Sequence, residues 1–255
     1  MAKSHVTASW GRRAESVDEA ADRIARLLAA LGEIDPALTR WRNLDKSKRQ
    51  SSAQPVVGTA HADLVQRLLG GRHRGDFDHE AIDDLGYSVH WWNGGAPDDR
   101  GAAKLMAHAA AGSLGNSVVL NLPELKAAPS LYARDTAHRV LHALVRIFEP
   151  DAVVWSSAAL LSKQKEPDRR SADGAALTLG RLVGEPAGWA NYLSDTNPVQ
   201  FDPRLMPATA TVERVGAGTL VMLGEDPADP PVADVLRLHR AMGPQAAQSA
   251  VDPAQ

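Results

Sequence analysis

Tyr87-Ser88-Val89-His90-Trp91-Trp92-Asn93-Gly94-Gly95 marks a change of period in the chain. Before it, apolar residues recur every three or four positions. From Tyr87 onward they recur every two, the repeat of side chains along a strand. Two more runs with this repeat follow at 104–110 and 117–122, separated by turn residues such as Asn93-Gly94-Gly95 and Leu114-Gly115-Asn116. In the last run Val118, Leu120 and Leu122 share one side, while Val119 and Asn121 take the other. Three such runs in succession predict an antiparallel meander.

Upstream the signals are mostly helical. Residues 5–10 read as a short first strand ending at Gly11. Ser16 with Glu19 three positions on then forms a capping box, and Val17, Ala20, Ala21, Ile24, Leu27, Leu28 and Leu31 give one apolar face. The helix must stop near Asp35, because the residue before Pro36 is pushed out of helical geometry. The polar residues 45–54 read as a loop. Thr59 is placed to cap a second helix carrying Leu64, Val65, Leu68 and Leu69 and closed by Gly70-Gly71. A third, short helix is expected over 78–85, stopped by Gly86.

Downstream, Ala137, Val140, Leu141, Leu144, Val145 and Phe148 mark a long helix over about 130–148, and 152–155 read as a strand. Residues 163–174 are charged and turn-rich, an exposed loop. A strand at 189–193, a hairpin of 209–215 with 219–223 through Gly216-Ala217-Gly218, and a helix from Pro231 to Gly243 complete the pattern. Strands clustered between helices without strict alternation predict an α+β fold: a single domain over 1–243, a largely antiparallel sheet with helices packed on it, and a disordered tail at 244–255.

Composition narrows the function. With 44% hydrophobic and 23% charged residues over 255 positions, the chain can bury a core. Its 31 acidic against 28 basic residues argue against direct nucleic-acid binding, which needs clustered cations to neutralise phosphate. The basic group Arg40, Arg42, Lys46, Lys48 and Arg49 is small, contains Asp45 and falls in the predicted loop. The absence of cysteine removes disulfides, thiolate zinc sites and a cysteine nucleophile. The N-terminus carries no apolar signal core and no apolar run nears the roughly 18 residues of a membrane span, so a cytoplasmic, membrane-free protein is expected.

Catalytic motifs do not emerge. His138 and His142 stand four apart on the long helix, a spacing that lets two imidazoles meet one metal, but Arg-Val-Leu between them lacks the glutamate of zinc hydrolases. The Asp76/Asp78 and Asp83/Asp84 pairs suit helix starts, and no lysine follows them in a nuclease arrangement. Gly216-Ala217-Gly218 leads into a strand, where no helix N-terminus can hold a phosphate. No Gly-x-Ser-x-Gly elbow occurs. What remains distinctive is a binding vocabulary: Asp76, Asp78, Glu80, Asp83, Asp84, Asp98 and Asp99 lie in one stretch without lysine or arginine, interrupted by Trp91 and Trp92. Such a stretch suits a solvated face, or a surface that attracts a basic partner. Adjacent strand residues point to opposite faces, so Trp92 is expected inside and Trp91 outside. Trp10, Trp41, Trp155 and Trp189 are expected in the core.

The order of short motifs carries a resemblance. Trp10-Gly11-Arg12-Arg13, Glu15-Ser16, Ile34-Asp35-Pro36, Trp41, Gly75-Asp76, Leu85-Gly86-Tyr87-Ser88 and Trp92-Asn93-Gly94 run through the first part. Asn116-Ser117-Val118-Val119-Leu120, Leu122-Pro123, Phe148-Glu149-Pro150-Asp151, Gly188-Trp189 and Tyr192-Leu193-Ser194 continue it. Together they resemble the immunity protein 52 family of bacterial polymorphic toxin systems. The resemblance implies an α+β inhibitor with no catalytic residues and no cofactor, whose partner is a cognate toxin. It also implies toxins with restriction-endonuclease-like nuclease domains, exported by a type VI or related secretion route. On this reading the partner-binding residues are Asp76, Asp78, Glu80, Asp83, Asp84, Trp91, Asp98 and Asp99, with no metal site. Two other classes stay open: a metal-dependent hydrolase using His138 and His142, and a non-inhibitory adaptor of a secretion system.

Overall fold

A computed structural model describes residues 3–243 except 76, 78, 95–100, 166–168, 171–175, 179–181 and 183. Strand β1, Ser4–Trp10, buries Ser4, Val6, Ala8 and Trp10 in strict alternation. Helix α1, Val17–Ile34, starts with the capping box: the Ser16 hydroxyl accepts from the Glu19 N–H at 3.2 Å, and the Glu19 carboxylate accepts from the Ser16 N–H at 2.8 Å. It ends at Asp35, whose side chain caps the 3-10 turn Pro36–Leu38.

Strand β2 (Arg42–Asn43), helix α2 (Lys48–Ala53) and helix α3 (His61–Gly70) follow, then a 3-10 turn at Asp83–Leu85. The meander is β3 (Tyr87–Trp92), β4 (Lys104–Ala109) and β5 (Asn116–Asn121), with both pairings antiparallel. After the 3-10 turn Pro129–Tyr132 come helix α4 (Arg134–Phe148), strand β6 (Ala152–Ser157) and helix α5 (Ala158–Lys163). Strands β7 (Arg169–Arg170) and β8 (Ala176–Thr178) form a separate two-stranded sheet among the described residues. The chain closes with β9 (Ala190–Ser194), β10 (Ala210–Val215), β11 (Gly218–Leu223) and helix α6 (Val232–Ala241).

Among the described residues nine strands form one sheet in the order β10-β11-β9-β6-β1-β5-β4-β3-β2, every neighbouring pair antiparallel. The first strand therefore sits at the centre. Helix α4 lies on β1 and β6, α3 lies on β3, and α1 packs on both α3 and α4. This is the α+β single domain that the alternating periods predict. The four tryptophans expected inside, Trp10, Trp41, Trp155 and Trp189, are all buried in the core. Gly188 is required beside that cluster: a Cβ there would lie 1.9 Å from the Trp155 carbonyl oxygen.

Several local expectations are corrected. The helix predicted over 78–85 is absent apart from the 3-10 turn, because this segment's backbone bonds across to 73–75 instead: Gly75 N–H donates to Glu80 O at 2.9 Å and Ile82 N–H to His73 O at 2.9 Å. Thr59 does not cap α3; Ala60 holds that position with no side-chain bond. The start of α3 is tied sideways, His61 lying 2.8 Å from both Asp18 and Asp22 of α1. The polar loop at 45–54 contains α2, capped by Ser47. Within 163–174, Arg169–Arg170 form a strand, and much of the rest, like the tail 244–255, lies outside the described residues. Among the described residues no helix is long and apolar enough to cross a membrane.

Candidate functional site

The segment between α3 and β3 builds a finger. Residues Arg72 and Tyr87 bridge at its base, Arg74 and Ala81 bridge further out, and the Gly75–Glu80 and Ile82–His73 bonds close the ladder. Its base is pinned. The Asp84 carbonyl accepts from the N–H groups of Gly112 and Ser113 at 3.0 and 3.1 Å and from the Ser113 hydroxyl at 2.9 Å. Gly86 sits at φ 68°, where a side chain would be strained, and a Cβ there would lie 2.3 Å from the Ala109 carbonyl. His73 and His108 both reach the Ser88 hydroxyl at 3.0 Å. Burial, and then the neighbouring His73, hold the His108 imidazole below its ordinary value.

The far end is bare. Phe77, at the tip, is 100% exposed, and every residue from His79 to Asp84 is exposed. A phenyl ring left wholly in water gains nothing for the fold, so packing gives no reason for it. The described carboxylates of the predicted surface, Glu80, Asp83 and Asp84, all belong to this finger or its base. Asp76 and Asp78, which flank Phe77 in sequence, lie outside the described residues, as do Asp98 and Asp99. The finger is less purely acidic than its sequence stretch. Arg72 comes within 3.5 Å of Asp83, and Arg74 donates to the His79 carbonyl, so residues 72–84 combine five carboxylates with two guanidinium groups.

Trp91 is a correction. Expected outside, it is 1% exposed, and Trp92 on the opposite face is also buried. The alternation rule held, but both faces of β3 are covered at this point. The Trp91 indole N–H donates to Asn43 Oδ1 at 3.0 Å, an oxygen that also accepts from Arg67 at 3.1 Å. Trp91 lines a groove of about 630 Å³ with Asn43, Arg67, Gly71 and His90, next to the base of the finger.

Phe77 was missed in the sequence, although one aromatic between two aspartates inside an acidic run is a signal that could have found it. Glu213 was missed as well. It approaches His138 at 2.7 Å and His142 at 3.1 Å, joining strand β10 to helix α4. Nothing in the spacing of the two histidines points to that strand.

Several of the motifs that carry the resemblance meet each other away from the finger, whereas Gly75-Asp76 and Leu85-Gly86-Tyr87-Ser88 fall within its sequence or at its base. Trp10 stacks on Phe148 with ring centroids 5.2 Å apart, the Arg13 guanidinium lies 4.9 Å above the Trp10 ring, and Arg13 donates to the Phe148 carbonyl at 2.7 Å. Glu15 receives Arg13 and Arg23, each at 3.1 Å, and Asp151 accepts from the Gly11 N–H at 2.7 Å. Residues 138 positions apart thus form one joint between the end of β1, the start of α1 and the end of α4. This joint holds the fold, at a distance from the finger in sequence.

The architecture defines an α+β protein built on an antiparallel sheet, with an exposed finger between α3 and β3. Residues 3–230 match the family described as Immunity protein 52, and the chain belongs to that family. Membership makes it an immunity protein and implies a cognate toxin as its partner. Among solved structures it is similar to "Pseudomonas aeruginosa T6SS protein PA0821", at TM-score 0.55 and 11% identity over 94% of this chain and 72% of that one. At that identity the likeness concerns the fold alone. No curated protein matches.

Proposed function

We propose that this protein neutralises a nuclease toxin in the cytoplasm by binding it, without catalysis, and that the finger is the part inserted. The observation that carries the proposal is Phe77: a fully exposed aromatic at the tip of an element whose base is fixed on three sides. A pinned base reduces the freedom lost when the finger is bound, and aromatic anchors dominate interface energies. The carboxylates Asp76, Asp78, Glu80, Asp83 and Asp84 surround it in sequence. A nuclease cleft is positive because it receives phosphate, so an acidic finger can take the place of the nucleic-acid backbone. Asp98 and Asp99 extend the same acidic stretch. Trp91 contributes from beneath the neighbouring groove, as support and not as an exposed contact. Protection from a lethal enzyme calls for a Kd on the order of nanomolar or lower.

The charge argument concerns encounter more than final affinity. Replacing Asp76, Asp78, Asp83 and Asp84 together by Asn is expected to slow association with the toxin about tenfold or more at low salt, with the difference shrinking as ionic strength rises. Thermal stability should change little, because the one described ion pair lost, Asp83 with Arg72, is long at 3.5 Å and its carboxylate is exposed. Stopped-flow association at several salt concentrations decides it. Equal rates for both proteins at low salt would remove this surface from the account.

A further inference from the structure

We propose that His138, His142 and Glu213 form a binding site for a divalent transition-metal ion that clamps helix α4 to the edge strand β10. The two histidines stand one turn apart on α4, their rings 4.1 Å apart and inclined at 53°. Glu213 comes from another element, with Oε2 2.7 Å from His138 Nε2 and Oε1 3.1 Å from His142 Nε2. All three donor atoms lie within 4.8 Å of one another. Donors at about 2.0–2.1 Å from a tetrahedral zinc ion stand about 3.4 Å apart, a little more than the 2.7 and 3.1 Å between Glu213 and the two imidazoles, so small side-chain rotations would fit the set to the ion.

A plain histidine–carboxylate contact does not fully account for the arrangement. His142 Nε2 is shielded from water yet has no aligned hydrogen-bond partner, despite its short distance to Glu213. That nitrogen points a lone pair or a proton into a space bounded by another imidazole and a carboxylate. Two imidazoles and one carboxylate suit zinc, and three protein ligands leave a coordination position for water. All three side chains are partly exposed, so an ion has a route in.

The other charged groups nearby are Arg134, Glu225 and Arg146. Arg134 is occupied by Glu225 and by the Thr211 hydroxyl, whereas Arg146, close enough to His142 to repel its protonated form, opposes a cation. Magnesium, which prefers oxygen donors, should therefore bind far less well than zinc. The consequence of occupancy is mechanical. β10 ends the sheet and pairs only with β11, so an ion shared with α4 would hold that margin down.

The test uses the full chain, free of any affinity tag and stripped with a chelator. Calorimetric titration with zinc is expected to show one ion per chain, and the melting temperature to rise by about 5 °C or more at a hundredfold excess over Kd, with magnesium giving no comparable shift. Glu213→Gln and His142→Gln should each weaken zinc binding at least tenfold. Their unfolding without metal, measured in parallel, separates lost binding from lost structure. Cobalt(II) provides a second readout on the unaltered protein: intense visible bands of a tetrahedral site are expected. Absence of saturable zinc binding, equal binding by either folded variant, or a cobalt spectrum like that of the free aqueous ion would overturn the proposal.

Discussion

Trp155→Ala is expected to lower the stability of this protein by about 3–5 kcal/mol, enough to remove a large share of what a domain of this kind possesses. Trp155 is wholly buried on β6, the strand between β1 and β9. Its ring meets Trp189 edge-on at 5.7 Å and Tyr132 edge-on at 6.3 Å. Removing it leaves a cavity beside the rings of Trp189 and Tyr132. Trp155→Phe is the informative companion. The Trp155 indole N–H is buried without a partner, so the phenyl ring forfeits volume but removes an unsatisfied donor. It should cost about half as much or less. Urea denaturation of both variants measures this, and a loss under about 1 kcal/mol for Trp155→Ala would show that the core does not depend on this cluster.

Phe77→Ala should do the opposite: leave folding untouched and damage binding. A side chain that is entirely exposed contributes no buried area to the fold, so the melting temperature should not move. On the proposed reading the same ring is the central anchor in the toxin complex, and its loss is expected to cost about 2–4 kcal/mol, or roughly 30- to 700-fold in Kd. The effect should fall on dissociation, in contrast with the aspartate replacements, which act on association. Surface-based kinetics separate the two. Unchanged affinity would remove the finger tip from the interface, even if the protein still binds its toxin through another face.

Much of this fold is legible in the sequence because local and global preferences agree. The Ser16–Glu19 box, the stop before Pro36 and the period-two runs of the meander each arise from neighbours within a few positions, and each appears as expected. What sequence spacing could not convey is contact between distant segments. The acidic residues 78–85 suit a helix start locally, yet their backbone groups are taken by residues 73–75, and a finger results. Trp91 was assigned outward from alternation alone. Alternation fixes which side a residue faces, not whether that side is covered, and here both sides are. Glu213 meets the two histidines only because β10 returns beside α4, 75 residues after His138. Conversely, Trp10-Gly11-Arg12-Arg13 and Phe148-Glu149-Pro150-Asp151 stand out in the sequence and meet in the joint around Trp10 and Phe148.

The most direct test of the central claim is co-expression of this chain with its cognate toxin, scoring survival and co-purification together. Immunity by binding predicts rescue accompanied by a stable complex of the two proteins, with both weakened by Phe77→Ala. Survival with no complex formed would contradict it, pointing to a protein that acts on the damage and not on the toxin.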